Sequence, residues 1–221
     1  MRLVEQKSYF LIEDLFFSSV VCGFSKSNLE GILPQDVHNV LSFLKFKPAV
    51  SYMSQLHSAK IHCLDRPGVY SGDALFTKTK NNVLVVKTAD CLPIFFSQAD
   101  KGIIGILHLG WRSAQKGILG KIPYQLGSFK IVLGVGLRQC CFEVGREFLE
   151  HKAFKPFLKL RDAKIYFDAV GFAKTALIKK GIRQKNIFDV NICSFCSRQP
   201  FFSYRRTKTP SRTLSFILNI G

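Results

Sequence analysis

NVLVVKTADCLPIFFSQADKGIIGILHLGWRS, residues 82–113, decides how the chain folds. NVLVVKTADC (82–91) is an apolar run short enough for a buried strand, PIFFS follows it, and GIIGILHLG (102–110) is a further apolar strand that ends at His108. WRSAQKGILGKI (111–122) then starts a helix directly after Gly110. Working outward, YFLIE (9–13) and SSVVCGFS (18–25) read as early strands, and LPQDVHNVLSFLKF (33–46) as a helix with Pro34 near its start. PAVSYMSQLHSAKIHCLD (48–65) reads as extended, with His57 in its middle. FKIVLGVG (129–136) is a strand, 143–160 and 168–181 are helical, and IFDVNI and TLSFILN supply late strands. Strands outnumber helices and do not alternate with them, so the class is α+β with mixed sheets flanked by helices, not a doubly wound nucleotide fold. No linker, repeat or low-complexity tract divides the chain, so one domain is expected over 1–221.

Apolar residues make up 47% of the 221 and charged ones 21%, a balance that favours a packed core over disorder. Phe contributes 21 residues and Trp one, which implies a Phe-rich core. Seven cysteines, an odd number, do not suggest a disulfide framework. No segment reaches the roughly 18 apolar residues of a membrane span. The N-terminal stretch is interrupted by Glu5, Glu13 and Asp14, so it does not read as a signal peptide, and the cytoplasm is the expected location. Net charge is +17, with 15 Lys/Arg against 3 Asp/Glu in residues 151–221. Such a field attracts polyanions. The basic residues are nevertheless scattered singly along helix-like stretches, so a solvated face accounts for them and no nucleic-acid partner is assigned.

His57, Cys91 and His108 are the residues most able to carry chemistry. Cys91 and His108 fall at or just past the ends of expected strands, where sites are commonly built. Two imidazoles and a thiolate suit a catalytic zinc, which takes three protein ligands and keeps one position open. The same three residues also suit a Cys–His nucleophilic pair or a blue-copper centre. A multicopper oxidase needs far more than the five histidines present. Asp73 in SGDALFT is a candidate proton carrier. Arg112 at the start of the expected helix, and Arg205, Arg206, Lys208 and Arg212 in FFSYRRTKTPSR (201–212), could receive a phosphate. CSFC (193–196) is a single CxxC with Cys140 and Cys141 as conceivable zinc partners, and without a second CxxC it reads as buried, inert thiols.

Taken together, QLHSAKI (55–61), GDALFT (72–77), KTADCLPIFF (87–96), GILHLGWRS (105–113), LRQCCFEVG (137–145) and FFSYRR (201–206) resemble the YfiH-like family. That family is described as purine nucleoside phosphorylases and was formerly labelled laccase-like polyphenol oxidases. The resemblance implies the CNF/YfiH-like putative cysteine hydrolase fold and a zinc held by His57, Cys91 and His108, with copper the weaker candidate. It implies purine nucleosides and phosphate as partners, through phosphorolysis of adenosine, inosine, guanosine or methylthioadenosine, and deamination of adenosine. A cysteine hydrolase or amidase with Cys91 as nucleophile, a copper-dependent phenol oxidase, and a basic nucleic-acid-binding protein that keeps the fold are the alternatives. The chain departs from the family pattern at Val135, where proline is usual, and at Ser113, where glycine is common.

Overall fold

A computed structural model describes residues 1–16, 19–26 and 35–220. In chain order the first elements are β1 (Arg2–Glu5), β2 (Tyr9–Glu13), β3 (Val20–Ser25), α1 (Gln35–Val40), β4 (Ala49–Ser54), β5 (Ile61–Leu64), β6 (Val69–Ser71) and β7 (Ala74–Thr77). The central stretch forms β8 (Asn82–Thr88), β9 (Leu92–Gln98), β10 (Ile103–Leu109) and α2 (Trp111–Gln115). There follow β11 (Lys130–Leu133), β12 (Glu143–Val144), β13 (Leu158–Arg161), β14 (Lys164–Phe167), α3 (Ala169–Lys179), β15 (Ile187–Asp189), α4 (Tyr204–Thr207) and β16 (Thr213–Asn219).

Two large mixed sheets pack face to face. One runs β1-β2-β3-β16-β8-β4-β6 and the other β15-β11-β9-β10-β7-β5, with β12-β14-β13 as a small third sheet. Strands β4, β6 and β8 are parallel, as are β5 with β7 and β11 with β15, while the remaining pairs are antiparallel. The expected mixed α+β class is what the structure has.

The unbroken apolar runs of β8, β9 and β10 follow from cover on both faces. Leu84 and Val86 of β8, Phe95 of β9 and Ile104 and Ile106 of β10 fill the space between the large sheets. Their alternating neighbours point away. Val83 and Val85 pack under Val37, Val40 and Leu41 around α1, and Ile94, Phe96, Leu107 and Leu109 pack under α2 and α3. Ten phenylalanines are among the largest fully buried side chains, so the Phe-rich core is present. Each contributes on the order of 1.5–3 kcal/mol through burial.

Four local expectations change. Residues 143–160 are not a helix: β12, two 3-10 turns (Arg146–Glu150 and Lys155–Phe157) and β13 occupy the span. Pro156 has no N–H to extend a helix, and Phe148, Phe154 and Phe167 pack on one another instead, at ring separations of 4.8–5.5 Å. Asp162 and Ala163, both at positive φ, close the β13–β14 hairpin in a two-residue turn of the type that suits strand twist. The helix after Gly110 ends at Gln115, and Gly117 at φ 73 leads into a 3-10 turn. The segment 48–65 is not continuously extended, because β4 and β5 flank a loop in which His57 takes φ 52. The expected helix from 33 is described only from Gln35, ending at Val40, and Leu33, Pro34 and Ser18 lie outside the described residues.

Candidate metal centre and cavity

Strand register assembles the site at one end of the second sheet. Leu107 pairs with Ala74, and Leu109 with Leu92. One residue further along each strand, Asp73 faces His108 and Cys91 approaches Gly110. By alternation, Asp73 and His108 share a face with Leu75 and Ile106, so they sit at the open end of the inter-sheet core. The loop before β5 brings in His57 from the adjoining edge strand.

His57, Cys91 and His108 converge, their ligand atoms all within 4.8 Å of one another. Cys91 Sγ stands 3.8 Å from His57 Nε2, and the two imidazoles lie edge to face with centroids 4.8 Å apart. Ligands sharing a tetrahedral zinc, at about 2.3 Å for sulfur and about 2.0 Å for nitrogen, stand about 3.6 Å apart. Space is also kept for an ion. A Cβ at Gly110 would stand 2.7 Å from His57 Cδ2 and 3.2 Å from Cys91 Sγ, so the glycine of HLGWRS leaves room that any side chain would fill. The donor set and the clearance fit a divalent metal.

Asp73 is fully buried and holds this cluster together. Its Oδ1 accepts from His108 Nδ1 at 2.9 Å and from the His57 amide at 3.0 Å. Its Oδ2 accepts from the amide and hydroxyl of Ser58, both at 2.6 Å. Burial alone would raise its pKa, but the bonds from His108 and Ser58 win and pull it down to about 2. A carboxylate so firmly ionised makes His108 Nδ1 the donor and leaves Nε2 free to face the cluster. With both oxygens engaged by His108, His57 and Ser58, Asp73 is placed to position the cluster.

Asp90, beside Cys91, adopts φ 94. Both carboxylate oxygens are engaged, Oδ1 by the Ser194 hydroxyl and Oδ2 by the Arg205 amide, each at 2.8 Å, while its carbonyl accepts from the Leu137 amide. These ties hold a backbone conformation that a non-glycine residue rarely adopts and fix the approach of Cys91. Ser113, the departure from the family pattern, accepts from the Gly110 amide at 3.0 Å and so secures the turn into α2.

The cluster opens into a cavity of about 790 Å³. Trp111, Phe142, Phe172 and Tyr204 give it aromatic walls, and Lys87, Arg112, Arg205, Lys208 and Arg212 give it positive charge. Arg112 stacks on Trp111 at 4.4 Å, and Arg212 and Lys208 flank the Tyr204 ring. Arg206 is not among the lining residues: its guanidinium donates to the carbonyls of Ser194, Phe195 and Phe201. Arg205 also spends Nη1 on the carbonyls of Cys141 and Glu143. The sequence reading missed Lys87, which lies at the end of an apolar strand where no local signal marks it. Gln55 pairs with the Lys87 backbone at both its amide and its carbonyl, so the strand end is fixed beside the cavity.

A family model described as multi-copper polyphenol oxidoreductase laccase matches residues 14–219. The chain belongs to this family. A relative named purine nucleoside phosphorylase from Borreliella burgdorferi is 30% identical over 94% of this chain and 95% of its own length. Another of that name from Aquifex aeolicus is 36% identical over 82% of this chain and 89% of its own. A protein named adenosine deaminase RL5, from an unknown prokaryotic organism, is 33% identical over 61% of this chain and 56% of its own. The solved structures of YlmD of Geobacillus stearothermophilus (TM-score 0.86, 20% identity, 99% of this chain and 98% of that one) and of hypothetical protein YfiH of Bacillus licheniformis (TM-score 0.83, 22%, 98% of each) share the fold. Among the described residues no helix is long and apolar enough to cross a membrane.

Proposed function

We propose that this chain is a zinc-dependent enzyme of purine nucleosides that transfers the ribose of its substrate to phosphate. The observation that carries the proposal is a two-histidine, one-cysteine cluster at the end of a cavity that combines aromatic walls with a concentration of cations. The names of the full-length relatives agree with it. The cavity lies within the size range of small-molecule sites.

His57, Cys91 and His108 would hold the zinc, which when bound supplies Lewis acidity. The aromatic walls suit a flat purine, and Arg112 and Lys208 suit phosphate, Arg112 by offering paired N–H donors to its oxygens; Arg212 adds charge while its Nη1 serves the carbonyls of Thr209 and Ser211. A phosphate oxygen then bonds to C1′ of the ribose, the C1′–N bond breaks, and its electron pair leaves with the base. The base takes its proton from phosphate or solvent, because Asp73 carries none. Deamination of adenosine at the same site is a second activity to test, in view of the relative named for it.

Incubating zinc-loaded protein with adenosine or inosine, with and without phosphate, tests the proposal by chromatography. Phosphate-dependent release of adenine or hypoxanthine, lost in Cys91→Ala, is the expected result. Inosine formed from adenosine without phosphate would add the deaminase. A zinc-loaded protein that does neither would overturn the purine reading. The 3.8 Å approach of Cys91 Sγ to His57 Nε2 would then favour a cysteine hydrolase, a site that works without metal.

A further inference from the structure

Cys140, Cys141, Cys193 and Cys196 come together on the far side of the Asp90 loop, although the sequence offers only one CxxC. Gly136 bridges to Cys193 in parallel, and the Ser194 amide donates to the Gly136 carbonyl at 3.1 Å, which lays the 136–141 loop beside 193–196. The four sulfurs lie within 4.8 Å of one another, and Cys140 Sγ is 3.8 Å from Cys196 Sγ. Two thiolates on one tetrahedral zinc, each about 2.3 Å from it, are separated by about 3.8 Å. A disulfide would need about 2.05 Å.

The surroundings are prepared for negative charge. Arg138 is mostly buried beside the cluster. Its Nη2 serves Asp189 and the Gly134 carbonyl, while Nε and Nη1 are buried without a partner among the described residues. Arg138 is thus ion-paired with Asp189 on one side only, and its remaining buried donors are unfavourable unless an acceptor takes them; four thiolates around a divalent ion carry a net charge of −2. Two of the cysteines, Cys140 and Cys196, are exposed, which does not fit four inert core thiols.

We propose that these four cysteines bind a second, structural zinc that clips the 136–141 loop to the 193–196 loop. Each thiol releases its proton to solvent on coordination. The clip bears on the first site through one residue. Ser194, inside the CxxC turn, donates to Asp90 Oδ1, and Asp90 sets Cys91.

Metal analysis of protein purified with zinc in the medium tests this, with Cys91→Ala and Cys196→Ser purified alongside. Two zinc ions per chain in the parent and one in each variant are expected, the ion kept by Cys91→Ala being released by a mercurial thiol reagent. One zinc in the parent, none in Cys91→Ala and one in Cys196→Ser would overturn the second site. One in the parent, one in Cys91→Ala and none in Cys196→Ser would keep it and remove the first. Should Cys196→Ser not fold, cobalt-loaded Cys91→Ala gives the same decision: absorption of a tetrathiolate centre supports the site and its absence refutes it. Non-reducing mass spectrometry that finds these cysteines disulfide-bonded in the freshly purified parent would also overturn it.

Discussion

Asp73 grips His108 twice, its carboxylate accepting from the ring Nδ1 at 2.9 Å and its carbonyl accepting from the His108 amide at 2.8 Å. The second bond belongs to the β7–β10 pairing, so sheet register and imidazole orientation are fixed by the same residue. Asp73→Asn keeps the shape but turns one oxygen into a donor that faces N–H groups. A loss of metal affinity of about 10- to 100-fold is expected, read by competition with a chelator. The same variant tests the acid limb of stability. Because the Asp73 pKa falls from 3.8 to about 2, its contribution is complete above pH 4 and disappears as pH falls through 2. The variant should be less stable than the parent near neutrality, by roughly 1–3 kcal/mol, and the difference should narrow in acid.

Gly110→Ala tests whether room for an ion matters. Its Cβ would intrude between His57 and Cys91, whereas φ at this position is −87 and gives no backbone objection to alanine. Native-like circular dichroism with little retained metal is therefore expected. Full metal content in this variant would mean that His57 and Cys91 can move apart to admit both the methyl group and the ion.

How far the site can be read from sequence differs from residue to residue. Cys91 and His108 sit in strongly patterned stretches, so strand ends and chemistry single them out. His57 joins them on its chemistry, and the family motif strengthens the grouping, since a loop residue at φ 52 carries no periodicity. Asp73 reads as one more acid in a turn, and its positioning role depends on register across β7 and β10, which no local pattern encodes. Arg206 shows the converse. It looks like a phosphate contact in the chain, yet its donors serve three carbonyls. The error over 143–160 has a similar origin, because aromatic residues spaced like a helix face can equally pack as a knot of turns once Pro156 interrupts the N–H ladder. The sequence names the four cysteines as conceivable zinc partners, but with a single CxxC it favours inert thiols, because nothing local shows that the two pairs meet. The halves of the cluster lie 52 residues apart, from Cys141 to Cys193, and are joined by the β11–β15 pairing and its extension through the Gly136–Cys193 bridge.

Removing the first metal should change the protons the site holds. Burial opposes charge on both Cys91 and His108, but their proximity prevails. His108 and then His57 bring Cys91 down from 9.0 to about 6, while Cys91 and Asp73 raise His108 from 6.5 to about 9. Between these values the metal-free cluster is a thiolate beside an imidazolium. A metal requires the thiolate and a neutral imidazole. Loading should therefore release the His108 proton near pH 7.5, more protons as pH falls through 6, and fewer as pH rises through 9. Calorimetry in buffers of different ionisation heat measures this, and a pH-independent count would contradict it.

Asp90 separates strain from tethering. Asp90→Gly removes both carboxylate bonds but relaxes φ 94, whereas Asp90→Ala removes the bonds and keeps the strain. In urea unfolding, Ala should be the less stable of the two by about 1 kcal/mol. Both should be less stable than the parent if the ties to Ser194 and Arg205 outweigh the strain they hold.

The arginines around the cavity divide by where their donors go. Arg112 has its guanidinium on the Trp111 face and no carbonyl to serve among the described residues, so Arg112→Ala should raise KM for phosphate about 10-fold or more with little change in stability. Arg206→Ala should do the reverse, because it strips donors from the carbonyls of Ser194, Phe195 and Phe201 that close the 193–201 loop. A loss of roughly 1–3 kcal/mol is expected, with KM for phosphate unchanged in the folded fraction. Lys87 supplies the sharpest comparison. It enters the cavity from the other large sheet, its backbone pinned by Gln55, so Lys87→Met should weaken phosphate without disturbing either set of loops. If Lys87→Met and Arg112→Ala both leave the phosphate KM untouched while Arg206→Ala raises it, the anion does not bind where the cavity charge is concentrated. The phosphate contacts would then have to be sought on the cysteine-bearing loops.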